Sequence, residues 1–166
     1  MDAFRQEMVG LLPRLRRLAR ALARDGADAD DLVQLTVERA IGRADHWRAG
    51  TRLDSWMFRI MKNLWIDEAR SRTRRSRIFA PPEAGESMAG DGAASVEAGL
   101  LGADIDRAMS SLPDDQRLAV ALVLVEGLSY RDAAATLQIP EGTLTSRLVR
   151  GRNALMARLE APGHDR

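Results

Sequence analysis

The chain is predicted to be all-α, with two small helical domains joined by a flexible acidic linker. Apolar residues recur at three- and four-residue steps in both halves, the signature of helices that bury one side. The stretch EGLSYRDAAATLQIPEGTLTSRLVRGR, residues 126–152, reads as two short helices joined by a tight turn, with Thr, Ser and Arg carried outward on the second. That is a helix-turn-helix, suited to placing one helix in a DNA major groove. Between the halves, the composition shifts to Pro, Gly, Ala, Ser and acids, which offer little apolar surface to offset ordering entropy. The expected boundaries are 1–79 for the first domain, 80–103 for the linker and 104–162 for the second domain.

The elements follow in order. Phe4, Met8, Leu11, Leu15, Leu18 and Leu22 define an amphipathic helix, expected to be interrupted or restarted near Pro13 and ended by Gly26. A second helix is expected after Asp28 or Asp30, either of which can cap it. It would bury Leu32, Val33, Thr36, Val37 and Ala40 and expose Asp31, Gln34, Leu35 and Glu38. After a polar stretch, Leu53, Trp56, Met57, Ile60 and Leu64 form the stripe of a long third helix, which runs into Arg70, Arg72, Arg74, Arg75 and Arg77. Past the linker, Pro113, Asp114 and Asp115 mark a helix start, and LAVALVLV reads as the buried helix of the second domain. In the helix-turn-helix, Ser129 is placed to cap and Asp132 to complete a capping box. Gln138, Ile139 and Pro140 end that helix, and Leu144, Leu148 and Leu155 resume helical spacing.

The net charge of +1 hides an uneven distribution. Residues 1–77 carry 17 basic against 11 acidic side chains, residues 78–103 carry four acids and no base, and residues 104–166 carry 8 bases against 9 acids. A basic surface, an acidic tether and a second module are the expectation. The absence of Cys excludes disulfides and thiolate metal sites, and two scattered His cannot build a zinc site, so no cofactor or metal is expected. No apolar run approaches the roughly 20 residues of a membrane span, and MDAFRQEMVG lacks the basic-then-apolar order of a signal peptide. A cytoplasmic protein is the expectation. With no Gly-rich phosphate loop, no nucleophile near a His and no ligand cluster, the sequence does not read as an enzyme.

Three segments in this order, DADDLVQLTVERA, RLDSWMFRIMKNLWIDEARSRTRR and LPDDQRLAVALVLVEGLSYRDAAATLQIPEGTLTSRLVRGR, make the chain resemble the extracytoplasmic-function (group 4) sigma factors of bacterial RNA polymerase. They are similar to the family's regions 2.1 to 2.2, 2.3 to 2.4 and 4.1 to 4.2, and the resemblance covers nearly the whole chain. The wording WIDEAR and GTRLDSW is most similar to the alphaproteobacterial branch that includes general stress-response sigmas. The resemblance implies a subunit that binds core polymerase, melts and reads a −10 element and anchors on a −35 element in a stress response. It also implies an anti-sigma partner.

Residue by residue, the resemblance implies that Asp31, Gln34, Leu35 and Glu38, one patch at helical spacing, dock the clamp of the polymerase's largest subunit. Leu35 departs from the family pattern, in which an acid is common there. Asn63, Asp67, Arg70 and Arg74 form a polar stripe that ends in an arginine cluster with Arg72 and Arg75. The resemblance assigns this stripe to the −10 element: arginines for phosphate, Asn63 and Asp67 for an unstacked base. Thr143, Thr145, Ser146, Arg147 and Arg150 are the candidates for the −35 element. Thr145 and Val149 depart from the basic and the aromatic or His residues common in the family. Trp56 reads as core, Trp47 and Trp65 stay open between core and base stacking, and His46 between solvated surface and a contact to a flipped base. The rival readings are a helix-turn-helix regulator acting without polymerase and a sigma-like decoy that binds an anti-sigma factor. Both leave the arginine helix unexplained.

Overall fold

The computed structural model describes residues 2–78 and 96–160, the side chains of 96–101 and 103 excepted. The first unit holds α1 (Asp2–Leu22), α2 (Gly26–Gly42), a single 3-10 turn (Ala44–His46) and α3 (Leu53–Ile78). The second holds α4 (Val96–Ser110), α5 (Asp114–Val120) continuing through a π-helical turn (Ala121–Val125), α6 (Tyr130–Leu137) and α7 (Glu141–Glu160). Among the described residues there is no strand.

In the first unit α1, α2 and α3 pack on one another pairwise. Phe4, Met8, Leu15, Leu18 and Leu22 of α1 meet Leu32 and Ala40 of α2 and Leu53, Met57 and Ile60 of α3. Val33 and Val37 are only half buried and flank this core. Pro13 does not interrupt α1 as expected: the helix runs straight through it. The ring sits on the exposed side, where it removes one intrahelical donor, and buried residues before and after it hold the helix together. Gly26 does not end α1 either; it opens α2. The cap is Asp25, not Asp28 or Asp30: its extended backbone lets the carboxylate accept from the Asp28 amide at 2.8 Å.

In the second unit α7 is the central element and touches α4, α5 and α6. Ser129 caps α6 by accepting from the Asp132 amide at 3.0 Å, but only half of the expected capping box forms, because the Asp132 carboxylate is taken by Arg52 of the first unit. Gln138 closes α6 in the left-handed conformation, at φ 58°. Two further expectations change. Residues 96–103, assigned to the linker on composition, are helical; residues 80–95 and 161–162 lie outside the described residues. The run LAVALVLV is buried only as far as Leu122: the π turn swings Leu124 and Val125 to the surface.

Helices α5 and α7 approach closely at Gly151, where an added Cβ would stand 2.8 Å from Val120 Cγ2 and 3.2 Å from the Gln116 carbonyl oxygen. Gly151→Ala sets a helix-propensity gain of about 1 kcal/mol against overpacking of about 1–3 kcal/mol. Because one obstructing atom is backbone, overpacking should win. Urea denaturation should show a net loss of stability; a gain would mean that α5 and α7 separate at no cost.

Candidate nucleic-acid interface

A long amphipathic helix usually has one buried side and one wet side; α3 has two buried sides. Leu53, Met57, Ile60 and Met61 belong to the first unit's core. Lys62, Ile66, Ala69, Thr73 and Arg77, spaced at four, three, four and four residues, line a cleft whose opposite wall is Asp114, Asp115, Leu118, Leu137 and Arg147 of the second unit. The remaining side carries Asn63, Asp67, Arg70 and Arg74, all exposed, of which Asp67, Arg70 and Arg74 also border the cleft. The stripe read from spacing is therefore a real surface. Within the arginine cluster the structure separates two groups. Arg72 and Arg75 both reach Glu68, at 3.7 and 3.3 Å, whereas among the described residues Arg70 and Arg74 make no ion pair. Arg70 and Arg74 are thus left without an acidic partner among the described residues.

The patch on α2 is also formed. Asp31, Gln34, Leu35 and Glu38 are exposed, Leu35 at 51%, and Gln34 donates to the Glu38 carboxylate at 3.3 Å. Asp31 and Leu35 lie on the edge of a groove of about 390 Å³ between α2 and α3, with Arg39, Leu64, Glu68 and Arg72 around it. An exposed leucine beside charged side chains forms an apolar spot with an ionic rim. Asp67 borders both this groove and the interdomain cleft, so the α2 patch and the arginine stripe of α3 are neighbours.

In the helix-turn-helix, Thr145, Ser146 and Arg150 are exposed on α7 while Leu144 and Leu148 lie in the core. The Thr145 hydroxyl donates to the Glu141 carbonyl at 2.9 Å, which leaves its methyl and an acceptor lone pair outward. Thr143 and Arg147 are half buried, and Arg147 approaches Asp115 at 3.6 Å. Of the aromatic residues left open, Trp65 is buried beneath the Arg117 guanidinium, which lies 5.8 Å from its ring centre. Trp47 packs on Phe4 at 5.5 Å with its indole N–H unpartnered, and His46 is exposed.

Sequence reading missed the groups that join the two units. Arg117 of α5 donates from Nε to the Ala21 carbonyl at 2.9 Å and from Nη2 to the Ala23 carbonyl at 3.1 Å, so a cation of the second unit caps the C-terminus of α1. The Glu126 carboxylate, 0% exposed, accepts from Arg14 Nε at 3.1 Å and from Arg17 Nε at 3.2 Å. Arg52 pairs with Asp132, and Arg59 donates to the Ala135 carbonyl at 3.3 Å. Asp54 ties Arg14 and Arg52 together. Burial opposes its ionisation, but hydrogen bonds from Arg52, Arg14 and the Ser55 amide outweigh that cost and hold its carboxyl below the usual value. The only sequence signals for these contacts were an arginine inside an apolar helix and an acid closing an apolar run. Neither names its partner.

Among the described residues, no helix is long and apolar enough to cross a membrane, and no group of three or more His, Cys, Asp or Glu could hold a metal ion.

Comparison with known proteins agrees with this geometry. Residues 9–75 match the model of Sigma-70 region 2, and residues 102–155 match that of Sigma-70, region 4. The chain is 35% identical over 162 residues to the ECF RNA polymerase sigma factor EcfG of Rhodopseudomonas palustris, covering 98% of this chain and 88% of that protein. It is 38% identical over 145 residues to the ECF RNA polymerase sigma factor SigE of Mycolicibacterium smegmatis, covering 86% of this chain and 56% of the relative. Among solved structures, the sigma factor RpoE in complex with the anti-sigma factor NepR from Bartonella quintana matches with a TM-score of 0.81 at 31% identity, over 98% of this chain and 99% of that one. That likeness takes in both helical units at once. With both family regions in order and a relative that spans the full length, the chain belongs to the extracytoplasmic-function RNA polymerase sigma factors.

Proposed function

We propose that this sigma factor docks core polymerase through Asp31, Gln34, Leu35 and Glu38, opens and reads the −10 element with Asn63, Asp67, Arg70 and Arg74, and anchors on the −35 element with Thr143, Thr145, Ser146, Arg147 and Arg150. Arg72 and Arg75 have a secondary role, since Glu68 already neutralises them in part. The observation that supports the reading is the division of α3: its third side bears hydrogen-bonding and cationic groups that stay exposed, with Asp67, Arg70 and Arg74 also bordering the cleft. A helix end needing only dipole compensation would not extend such a stripe three turns back to Asn63. The protein acts in the cytoplasm, in a stress response, and carries out no chemistry of its own. Two of its structural relatives were solved with anti-sigma partners, RpoE with NepR and CnrH with the cytosolic domain of CnrY, which supports an anti-sigma partner here. Run-off transcription with purified core polymerase tests the class: promoter-specific transcripts that depend on the chain support it. Binding to an anti-sigma protein with no transcript under any condition would favour the decoy reading.

Changing Gln34→Ala together with Glu38→Lys should weaken co-purification with core polymerase and leave helicity unchanged, because both side chains are exposed. Undiminished co-purification removes the docking assignment. Asn63→Ala should shrink the permanganate-reactive bubble at the −10 element while sparing polymerase binding. Arg70→Ala with Arg74→Ala should flatten the salt dependence of promoter binding, since about 0.9 counterions are released per neutralised phosphate on duplex DNA. Arg72→Ala with Arg75→Ala should change it less. Equal effects of the two pairs would mean that pairing to Glu68 does not matter in the complex.

A further inference from the structure

The chain holds 25 lysine and arginine side chains, and only one of them is a lysine, Lys62. Its place is unusual. Lys62 is 7% exposed and lines the cleft of about 760 Å³ between α3 and the second unit. The other buried cation among the described residues, Arg117, is satisfied by the Ala21 and Ala23 carbonyls, whereas Lys62 has no hydrogen bond or ion pair there. Trp47 Nε1 is the one side-chain nitrogen or oxygen among the described residues that is both sealed off and unpartnered. The Lys62 nitrogen therefore keeps an opening, and the space it borders is the cleft.

An arginine in this position would stay charged whatever surrounded it, but an amine can give up its proton. Burial lowers the Lys62 pKa from its ordinary value, and the positive charge of Arg59, one turn back on α3, lowers it further. The acids on the cleft wall, Asp67 of α3 and Asp114 and Asp115 of α5, do not pair with it, and Asp115 faces Arg147 at 3.6 Å. An ordinary lysine is a free amine in roughly one molecule in 2,500 at pH 7, and each unit of lowering raises that about tenfold. Around the amine, Arg70, Arg74, Arg77 and Arg147 line the cleft, so cations outnumber acids there, while Ile66 and Leu118 give it an apolar wall. Such a cleft attracts a small anion and holds a nucleophile in it. Another enzyme's active site could not close around a side chain so covered, but a donor of a few heavy atoms fits the space.

We propose that Lys62 is a covalent modification site, acylated on Nζ by a small acyl phosphate that enters the cleft between α3 and the second unit. The lone pair of the neutral amine attacks the carbonyl carbon. The C–N bond forms, the bond from that carbon to the phosphate oxygen breaks with its electron pair, and inorganic phosphate leaves toward the arginines. The proton shed by the nitrogen passes to water. The product is a neutral amide where an unpaired cation had been buried, so the modified chain is relieved of that cost. The lost charge also reaches DNA, because Arg70 and Arg74 share the cleft. That consequence, unlike the modification, rests on the −10 assignment proposed above.

The test treats the full chain with acetyl phosphate near neutral pH and follows adducts by peptide mass mapping. Apart from the N-terminal amine, Lys62 is the one amine that can react. It should be acetylated at least about tenfold faster than in the urea-unfolded chain, as one unit of lowering implies, and the rate should level off at a lower pH than there. Arg70→Gln with Arg74→Gln should slow the reaction with acetyl phosphate and leave that with an uncharged N-hydroxysuccinimide ester of acetic acid unchanged. Lys62→Arg should remove the internal adduct with unchanged far-ultraviolet circular dichroism. The acetylated chain should melt at a higher temperature than the parent and bind a −10 single strand several-fold more weakly. Acetylation no faster in the folded than in the unfolded chain overturns the site. Equal slowing of both donors by the arginine changes overturns the anionic donor. Unaltered −10 binding after acetylation overturns only the consequence for DNA, since the adduct forms without promoter or polymerase.

Discussion

Helix α3 has to satisfy three environments with 3.6 residues per turn, and the rest of the molecule is arranged around that constraint. One side closes the core with α1 and α2, a second receives α6 and the cleft, and a third is exposed and borders that cleft. The allocation explains the composition of the helix. Large apolar residues fall on the first side, the second mixes Ile66 and Ala69 with Lys62 and Arg77, and the third holds Asn63, Asp67, Arg70 and Arg74. A residue moved from one side to the next would change partner unit, not merely exposure. The exposed patch on α2 is tied to the same helix through the groove that reaches Asp67, so the surfaces proposed for polymerase and for DNA share one helix.

The second unit meets the first through an apolar core shared by both, with polar contacts added to it. Arg117 supplies a cation to the carbonyls that α1 leaves unsatisfied, and Glu126 takes two guanidiniums from the exposed flank of the same helix. Buried charges held by hydrogen bonds add little net stability against water but are strongly directional, so they fix one relative orientation without making it permanent. Half of the expected capping box at α6 is given up to this interface: Asp132 leaves the Ser129 amide and turns to Arg52.

Local structure was legible wherever one periodicity decided it. The helices around Leu15, Leu32, Met57 and Leu144 follow from three- and four-residue spacing, and the helix-turn-helix follows from Ser129 and the break at Gln138 to Pro140. Boundaries set by a competition were not legible. Asp25, Asp28 and Asp30 all have capping chemistry, and only the backbone geometry at Asp25 selects it. Pro13 falls in a helix whose tertiary anchors outweigh its local cost. Segment composition concealed the helical start at Val96, because the apolar residues there are outnumbered by small ones over the whole stretch. For the site, spacing placed the exposed stripes correctly but could not show that Glu68 occupies Arg72 and Arg75, or that Lys62 is covered. Those facts depend on which side of α3 the second unit meets, and a hydrophobic pattern does not name the partner of a buried side.

The chain has no cysteine, so a single pair of spin labels can report the relation of the two units without background sites. Asp30→Cys on α2 and Asn153→Cys on α7 are both exposed positions. Pulsed dipolar spectroscopy on the doubly labelled free chain at low salt measures the distance between them. The account predicts one narrow distribution centred on the separation found in this structure. A broad distribution would contradict it: the two units would then be independent beads on a tether, and the shared core and the contacts of Arg117 and Glu126 would not govern their relation.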